Sequence, residues 1–383
     1  MTVYILVFIL LAFLSFRFDI KGNKKGRRKW EHFVVFILIL IVGLRNHVGS
    51  DSIVYEWHFS TIQTPFLKDF FKNWFDYTDP LWTFVMSFCK TVFGSFIAVQ
   101  FFHGIVFNVL VYRFIKKTTT YTFTALLITF CTIWFANSFE VLRESVCAGL
   151  FLNATLLLNE KKYAKYFIVA FIAVGFHPFS LIVFLLAPLV SLLSLPIFAV
   201  FVIAGTLFIT VFDLSDVSSL MTIVMERVSE GSGERVMKYM QQKNMGQGSL
   251  LGYIRTVLLD YALPIMVILL SRDGFKRKMV LLLLFFNAIT VKIPILYRMD
   301  NYLFIIFIVL LVNVLYEQKS QKRKDYFLIL IFLTVSLCTM RMVDTYRPGP
   351  NEYRKNINYD CRYFPYTSVF QKQDPVRENF NWY

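Results

Sequence analysis

Four side chains able to do chemistry fall within eleven residues of the stretch GLRNHVGSDSIVYEW (43–57): Arg45, His47, Asp51 and Tyr55. They follow an apolar run, EHFVVFILILIVGL, that suits lipid. A guanidinium grips a phosphate through a two-pronged fork and keeps its charge beside lipid. A carboxylate close by can take a proton from a hydroxyl. Gly49 permits a sharp turn between them, so Asp51 can fold back toward Arg45 or toward a substrate hydroxyl.

Similar combinations recur further along, with Glu140 and Arg143 in NSFEVLRESVCAGLF, His177 in GFHPFSL, and Arg298 and Tyr302 in ILYRMDNYLF. Each has a plainer explanation. An arginine at a helix end can snorkel to the interface, and Glu140, three residues before Arg143, can neutralise it on one helical face. His177 can serve carbonyls freed at a helix break, and Asp300 and Asn301 make a good turn. Arg143 resists the plain reading most, because a cation one to two turns inside a span should face the bundle interior or a wet cavity.

The elements that must position these groups are membrane helices. Of 383 residues, 57% are hydrophobic, 18% aromatic and 17% charged, where a soluble chain carries about 25% charged residues. Continuous apolar runs recur from end to end, which excludes a β-barrel and predicts an all-α, polytopic fold. The net charge of +15 sits mostly in short loops. It reports the positive-inside rule before it reports any nucleic-acid partner. The five cysteines, at 89, 131, 147, 338 and 361, show no metal-site spacing. The opening VYILVFILLAFLSF lacks a basic leader and a cleavage site, so it is expected to be a retained span.

Basic clusters at 21–29, 112–117, 159–165, 272–278 and 317–324 assign the inner side. Parity between them predicts about twelve spans with both termini outside. LWTFVMSFCKTVF (81–93), which holds Lys90, is expected to be a half-span or interfacial helix. Residues 1–340 then form a single transmembrane domain, with an external amphipathic segment at 213–250 and an external tail at 341–383. Arg45, Asp51, Arg143, His177 and Arg298 all emerge on the outer side. Several arginines on one face suit a dianionic or polyphosphate ligand, including a lipid-linked phosphate entering sideways.

The chain resembles the EpsG-like and Wzy-type bacterial polysaccharide polymerases. The carrying features are LRNHVGSDSIVYEWHF (44–59), a form of R-x-x-x-G-x-D-x-x-x-Y, followed by DPLWTFV (79–85) and the arginine of SFEVLRESVCAGLFL (138–152). FHPFSLI (176–182), YRMDNYLF (297–304) and PYTSVF (365–370) complete the order. Pro178 departs from the small or polar residue more usual there.

The resemblance implies a GT-C-like architecture in the bacterial cytoplasmic membrane and an inverting, metal-independent glycosyl transfer on its outer face, with no cofactor. The partners would be undecaprenyl-pyrophosphate-linked oligosaccharides and membrane lipids, with a chain-length regulator and a repeat-unit flippase nearby. His177, Asp51 and Glu140 are the expected bases. Arg143 and Arg298 would take the pyrophosphate, Arg45 would position or take the second head group, and Tyr55 and Tyr302 would contact substrate. An O-antigen ligase-type transferase, or a transporter or flippase of lipid-linked sugars, is the alternative.

Overall fold

The computed structural model describes residues 2–49, 51–211, 250–290, 292–320, 331–339, 363 and 366–371. Most of the expected segment at 213–250 and of the tail lies outside the described residues. The fold is all-helical, and the described residues fall into two compact units, drawn from Met1–Leu181 with Ile331–Tyr383 and from Ile182–Leu330.

The first unit opens with α1 (Thr2–Leu14), which widens into a π turn at Ser15–Ile20, and α2 (Arg27–Gly43). Short helices follow: α3 (Ser52–Thr61), α4 (Lys68–Lys72), a 3₁₀ turn at Trp74–Asp76, and α5 (Pro80–Phe93). Then come α6 (Phe96–Thr118), α7 (Thr122–Thr132), α8 (Trp134–Phe139), α9 (Leu142–Asn159) and α10 (Tyr163–Phe176).

Helix α6 is the hub, packed against α2 and α9. Small residues set the α2–α6 spacing, as they do where membrane helices approach closely. A Cβ at Gly43 would sit 2.5 Å from the Phe101 ring, and one at Gly104 would sit 3.1 Å from Val42. One end of the bundle is stapled by buried charge. Asp19 accepts from the Thr124 amide (2.7 Å) and from Arg27 (2.7 Å). Glu31 takes Arg27 (3.0 Å), Lys116 (2.7 Å) and the Tyr112 hydroxyl (3.0 Å). Part of the strongest basic loop is therefore spent on pairing.

The second unit holds α11 (Leu181–Leu192), α12 (Leu195–Val211), α13 (Leu250–Thr256), α14 (Leu263–Leu270), α15 (Gly274–Thr290) and α16 (Asp300–Ser320). Pro264 cannot donate to the carbonyl four residues back. Asn287 Nδ2 of α15 bonds that Asp260 carbonyl instead (2.9 Å), beside a π turn at Val257–Ala262. Residues Ile295–Glu317, 89% buried over their most apolar window, form the unit's core helix.

Four described helical stretches are long and apolar enough to cross a membrane: Thr2–Ile20, Phe96–Thr118, Tyr253–Leu270 and Ile295–Glu317. Several shorter apolar helices accompany them, including Thr122–Thr132 and Tyr163–Phe176. With 14 residues, α5 is about 21 Å long, short of the ~30 Å hydrocarbon thickness. Its Lys90 bonds the carbonyls of Ser60 and Ile62 (2.8 Å each), closing the C-terminal end of α3.

Candidate functional site

Two arginine centres emerge in the first unit. The first lies where the chain leaves α2. Gly49 takes φ +97°, and a Cβ there would fall 2.1 Å from the Phe139 carbonyl oxygen, so the turn admits only glycine. Arg45 is fully buried. Its Nη1 donates to the Val42 carbonyl (2.7 Å) at the end of α2, and its guanidinium lies 5.6 Å from the Phe139 ring centroid. Nε and Nη2 have no hydrogen-bond partner, and no carboxylate pairs with Arg45 among the described residues. Asp51 therefore does not fold back onto it. Burial pulls the Arg45 pKa down to about 10, against the pull of Tyr366 and Tyr4.

Residues 366–371 cover this centre. Ser368 bridges antiparallel to Arg45, with Asn46 N–H donating to the Thr367 carbonyl and Val369 N–H to that of Leu44, both at 2.9 Å. The Thr367 hydroxyl reaches the Asn46 carbonyl (2.6 Å), and the Tyr366 hydroxyl reaches that of Ile41 (3.0 Å).

The second centre is built by α3, α5 and α9. Asp79 precedes Pro80, which opens α5 at the position where proline is tolerated. Its carboxylate accepts from Arg143 Nη1 (2.6 Å) and from the Thr78 hydroxyl (2.9 Å). Arg143 Nε donates to the Tyr55 hydroxyl (3.3 Å), and its guanidinium lies 5.7 Å from the Tyr55 ring centroid. Tyr55 meets Trp82 edge to face, with centroids 5.8 Å apart. Both belong to a core cluster with Phe59, Met86, Leu142 and Val146. Burial raises the Tyr55 pKa, Arg143 opposes this, and the nearby charges of Asp51 and Asp79 add to it. The phenol stays protonated. The Arg143 side chain remains 32% exposed, and neither bond uses its Nη2.

The structure thus brings Tyr55 and Arg143 together, with the Asp51 charge close enough to bear on the Tyr55 phenol. Asp51 sits at the start of α3, where the Tyr55 amide donates to its carbonyl (3.0 Å). His177 follows α10 in extended backbone (φ −159°), half-buried before the 3₁₀ turn at Pro178–Ser180. Its neighbour Phe176 packs on the Tyr55–Trp82 cluster. Arg298 and the fully buried Tyr302 belong to the second unit, at the junction of a 3₁₀ turn (Pro294–Met299) and α16.

Two expectations are corrected. The expected crossings at 121–137 and 139–158 break at Ile133 and at Glu140–Val141, so Arg143 lies in the first turn of α9 and not one to two turns inside a span. Glu140, with φ −121° and ψ −72°, stands off that helix, so the helical Glu140–Arg143 spacing does not exist. Asp79 is the carboxylate that pairs with Arg143.

Sequence reasoning missed three contributors. Asp79 stood in a quoted motif without a role, and its D-P dipeptide before a helix was the available signal. His103 of α6 shares a hydrogen bond with Ser145 (2.7 Å). With its amide oriented to donate, Gln100 serves the carbonyls of Arg45 (3.0 Å) and Gly43 (3.1 Å). One helical turn of α6 thereby holds the backbone that carries Arg45 and the turn of α9 that carries Arg143.

A helical, membrane-type protein with a carboxylate-paired arginine beside an aromatic cluster is the class these observations define. The family model described as "EpsG family" matches residues 30–368, most of the chain. The chain belongs to the EpsG family, a Wzy-type polysaccharide polymerase family. No curated protein and no solved structure matches it.

Proposed function

We propose that this protein polymerises lipid-linked oligosaccharide repeat units, with glycosyl transfer at the Arg143–Asp79–Tyr55 centre. The observation that carries the reading is an arginine held on two sides, by a carboxylate and a phenol, while a third of its side chain stays reachable. The donor is a glycan on prenyl pyrophosphate and the acceptor is a sugar hydroxyl of a second lipid-linked unit. The hydroxyl oxygen attacks the anomeric carbon from the side opposite the pyrophosphate. The C1–O bond breaks, its electron pair leaves on the pyrophosphate, and the hydroxyl proton passes to a base.

Arg143, aimed through Nη2, stabilises the charge that grows on the leaving group, an effect whose loss costs roughly 10²–10³ in rate. Asp79 and Tyr55 fix its orientation before substrate arrives. Asp51, beside Tyr55, is the best placed base, with His177 second and Glu140 third. Arg298 is assigned to the leaving pyrophosphate and Tyr302 to its sugar. About twelve spans, both termini outside and chemistry on the outer face of the cytoplasmic membrane complete the proposal.

The test is polymer length in cells carrying Arg143→Ala or Arg143→Lys at normal membrane levels. Ala should leave single repeat units, and Lys should restore a small fraction, since a point charge replaces the fork. Full-length polymer from Arg143→Ala would sink the reading. Finished but unattached polymer would instead mark a ligase.

A further inference from the structure

Arg45 offers more hydrogen-bonding capacity than its surroundings use. Nη1 closes the C-terminal end of α2 through the Val42 carbonyl, a task for which one donor suffices. Nε and Nη2, which share the edge of the guanidinium that meets an oxyanion side-on, have no partner although the residue is fully buried. A buried donor edge without an acceptor is unfavourable, and so is a buried cation without a counter-charge. Phe139 offers only its ring face at 5.6 Å.

The segment against Arg45 is residues 366–371, outside the helices. The ties described for it include an antiparallel bridge with a backbone bond on each side, a hydroxyl bond from Thr367, and a phenol bond and a ring contact from Tyr366. Its outer side carries Phe370, 78% exposed. A segment outside the helices, joined to the bundle by a single bridge, opens at a lower free energy than the helical core.

We propose that the Nε/Nη2 edge of Arg45 is a binding fork for a phosphate or pyrophosphate oxyanion, and that residues 366–371 are the strap that opens to admit it. Binding compensates the charge and satisfies both donors, so the ligand selects the open form. The inference rests on the polymerase reading for its choice of ligand. Glycosyl transfer between two lipid-linked partners brings two diphosphates, and Arg143 serves one. The test below reads binding and not transfer, so it can fail while the transfer reading stands, and the reverse.

Asn46 and Thr367 face each other across the rung. A full-length Asn46→Cys/Thr367→Cys variant, reconstituted in phosphatidylcholine discs, can be locked by oxidation and released by reduction. Binding of inorganic pyrophosphate and of farnesyl pyrophosphate is measured by equilibrium dialysis. The reduced form, which lacks the Thr367 hydroxyl bond, should bind at least as well as wild type, and the oxidised form should lose one equivalent of ligand per chain. Arg45→Gln should lose the same equivalent with the strap free. Loss of both ligands identifies the diphosphate itself as the recognised group, and loss of the farnesyl compound alone identifies a lipid head group. The proposal is overturned if the oxidised form binds as the reduced form does. It is equally overturned if Arg45→Gln binds as wild type does, or if the reduced form binds neither ligand.

Discussion

Arg45 and Arg143 were both expected on the outer side and are opposites in the fold. Arg143 has a carboxylate at 2.6 Å, a phenol at 3.3 Å and a third of its side chain exposed. Arg45 has one backbone carbonyl, an aromatic face and no exposure. The difference separates two ways of keeping a guanidinium near lipid. One neutralises it beside an opening, and the other encloses it and leaves its fork unspent. Only the first is ready to meet a ligand without a change of shape.

The sharpest way to break the comparison is to remove the charge partner. Asp79→Asn keeps the shape but not the charge that aims Arg143. Polymer output should fall about tenfold, the scale of roughly 1.4 kcal/mol lost from a charge-assisted hydrogen bond. Asn46→Gln, beside Arg45, should leave output near wild type, because Asn46 joins the strap through its backbone. Equal losses in the two variants, assayed in isolated membranes, would erase the distinction between the centres.

Stability should separate them next, and in opposite directions. Arg143→Met leaves Asp79 beside a hydrophobe and should destabilise the protein by about 1–2 kcal/mol, a range reduced for the partial exposure of the pair. Arg45→Met abandons no carboxylate and relieves a lone buried charge, so stability should hold or rise. Thermal melts of both variants in one detergent provide the check. A lower melting point for Arg45→Met would show that the guanidinium is compensated in the folded protein.

How much of this could be read from the sequence followed contact range. The turn after α2 was legible because an apolar run stops at Arg45 and Gly49, at φ +97°, takes a conformation that glycine allows. Pro178 marked the end of α10 at Phe176 just as plainly. Charge parity set a reversal near residue 138, between crossings at 121–137 and 139–158, close to the break at Glu140–Val141, but the break at Ile133 was not legible, since CTIWFANSF contains neither glycine nor proline. Asp79 was quoted and left without a role because its partner lies 64 residues on. No local pattern announces a pairing of that range, nor the rung between Arg45 and Ser368.

The smallest effect is expected at Tyr366. Its hydroxyl donates to the Ile41 carbonyl at 3.0 Å, and its ring lies 5.8 Å from that of Tyr4. Burial pushes its pKa up to about 12, with Arg45 pulling the other way, so the phenol keeps its proton and its bond through neutral pH. A tyrosine whose pKa is raised on folding adds stability below about pH 10, its unfolded value. That contribution fades as pH climbs through about 12. Tyr366→Phe keeps the ring and loses one hydrogen bond, worth about 0.5–1.5 kcal/mol. Hydrogen exchange at Asn46 and Val369, whose amides form the rung, should quicken by roughly two- to tenfold. The amides around Arg143 should not change. If exchange rises equally at both centres, the strap and the α9 turn open as one unit, and the enclosed and the open arginine are two ends of a single motion.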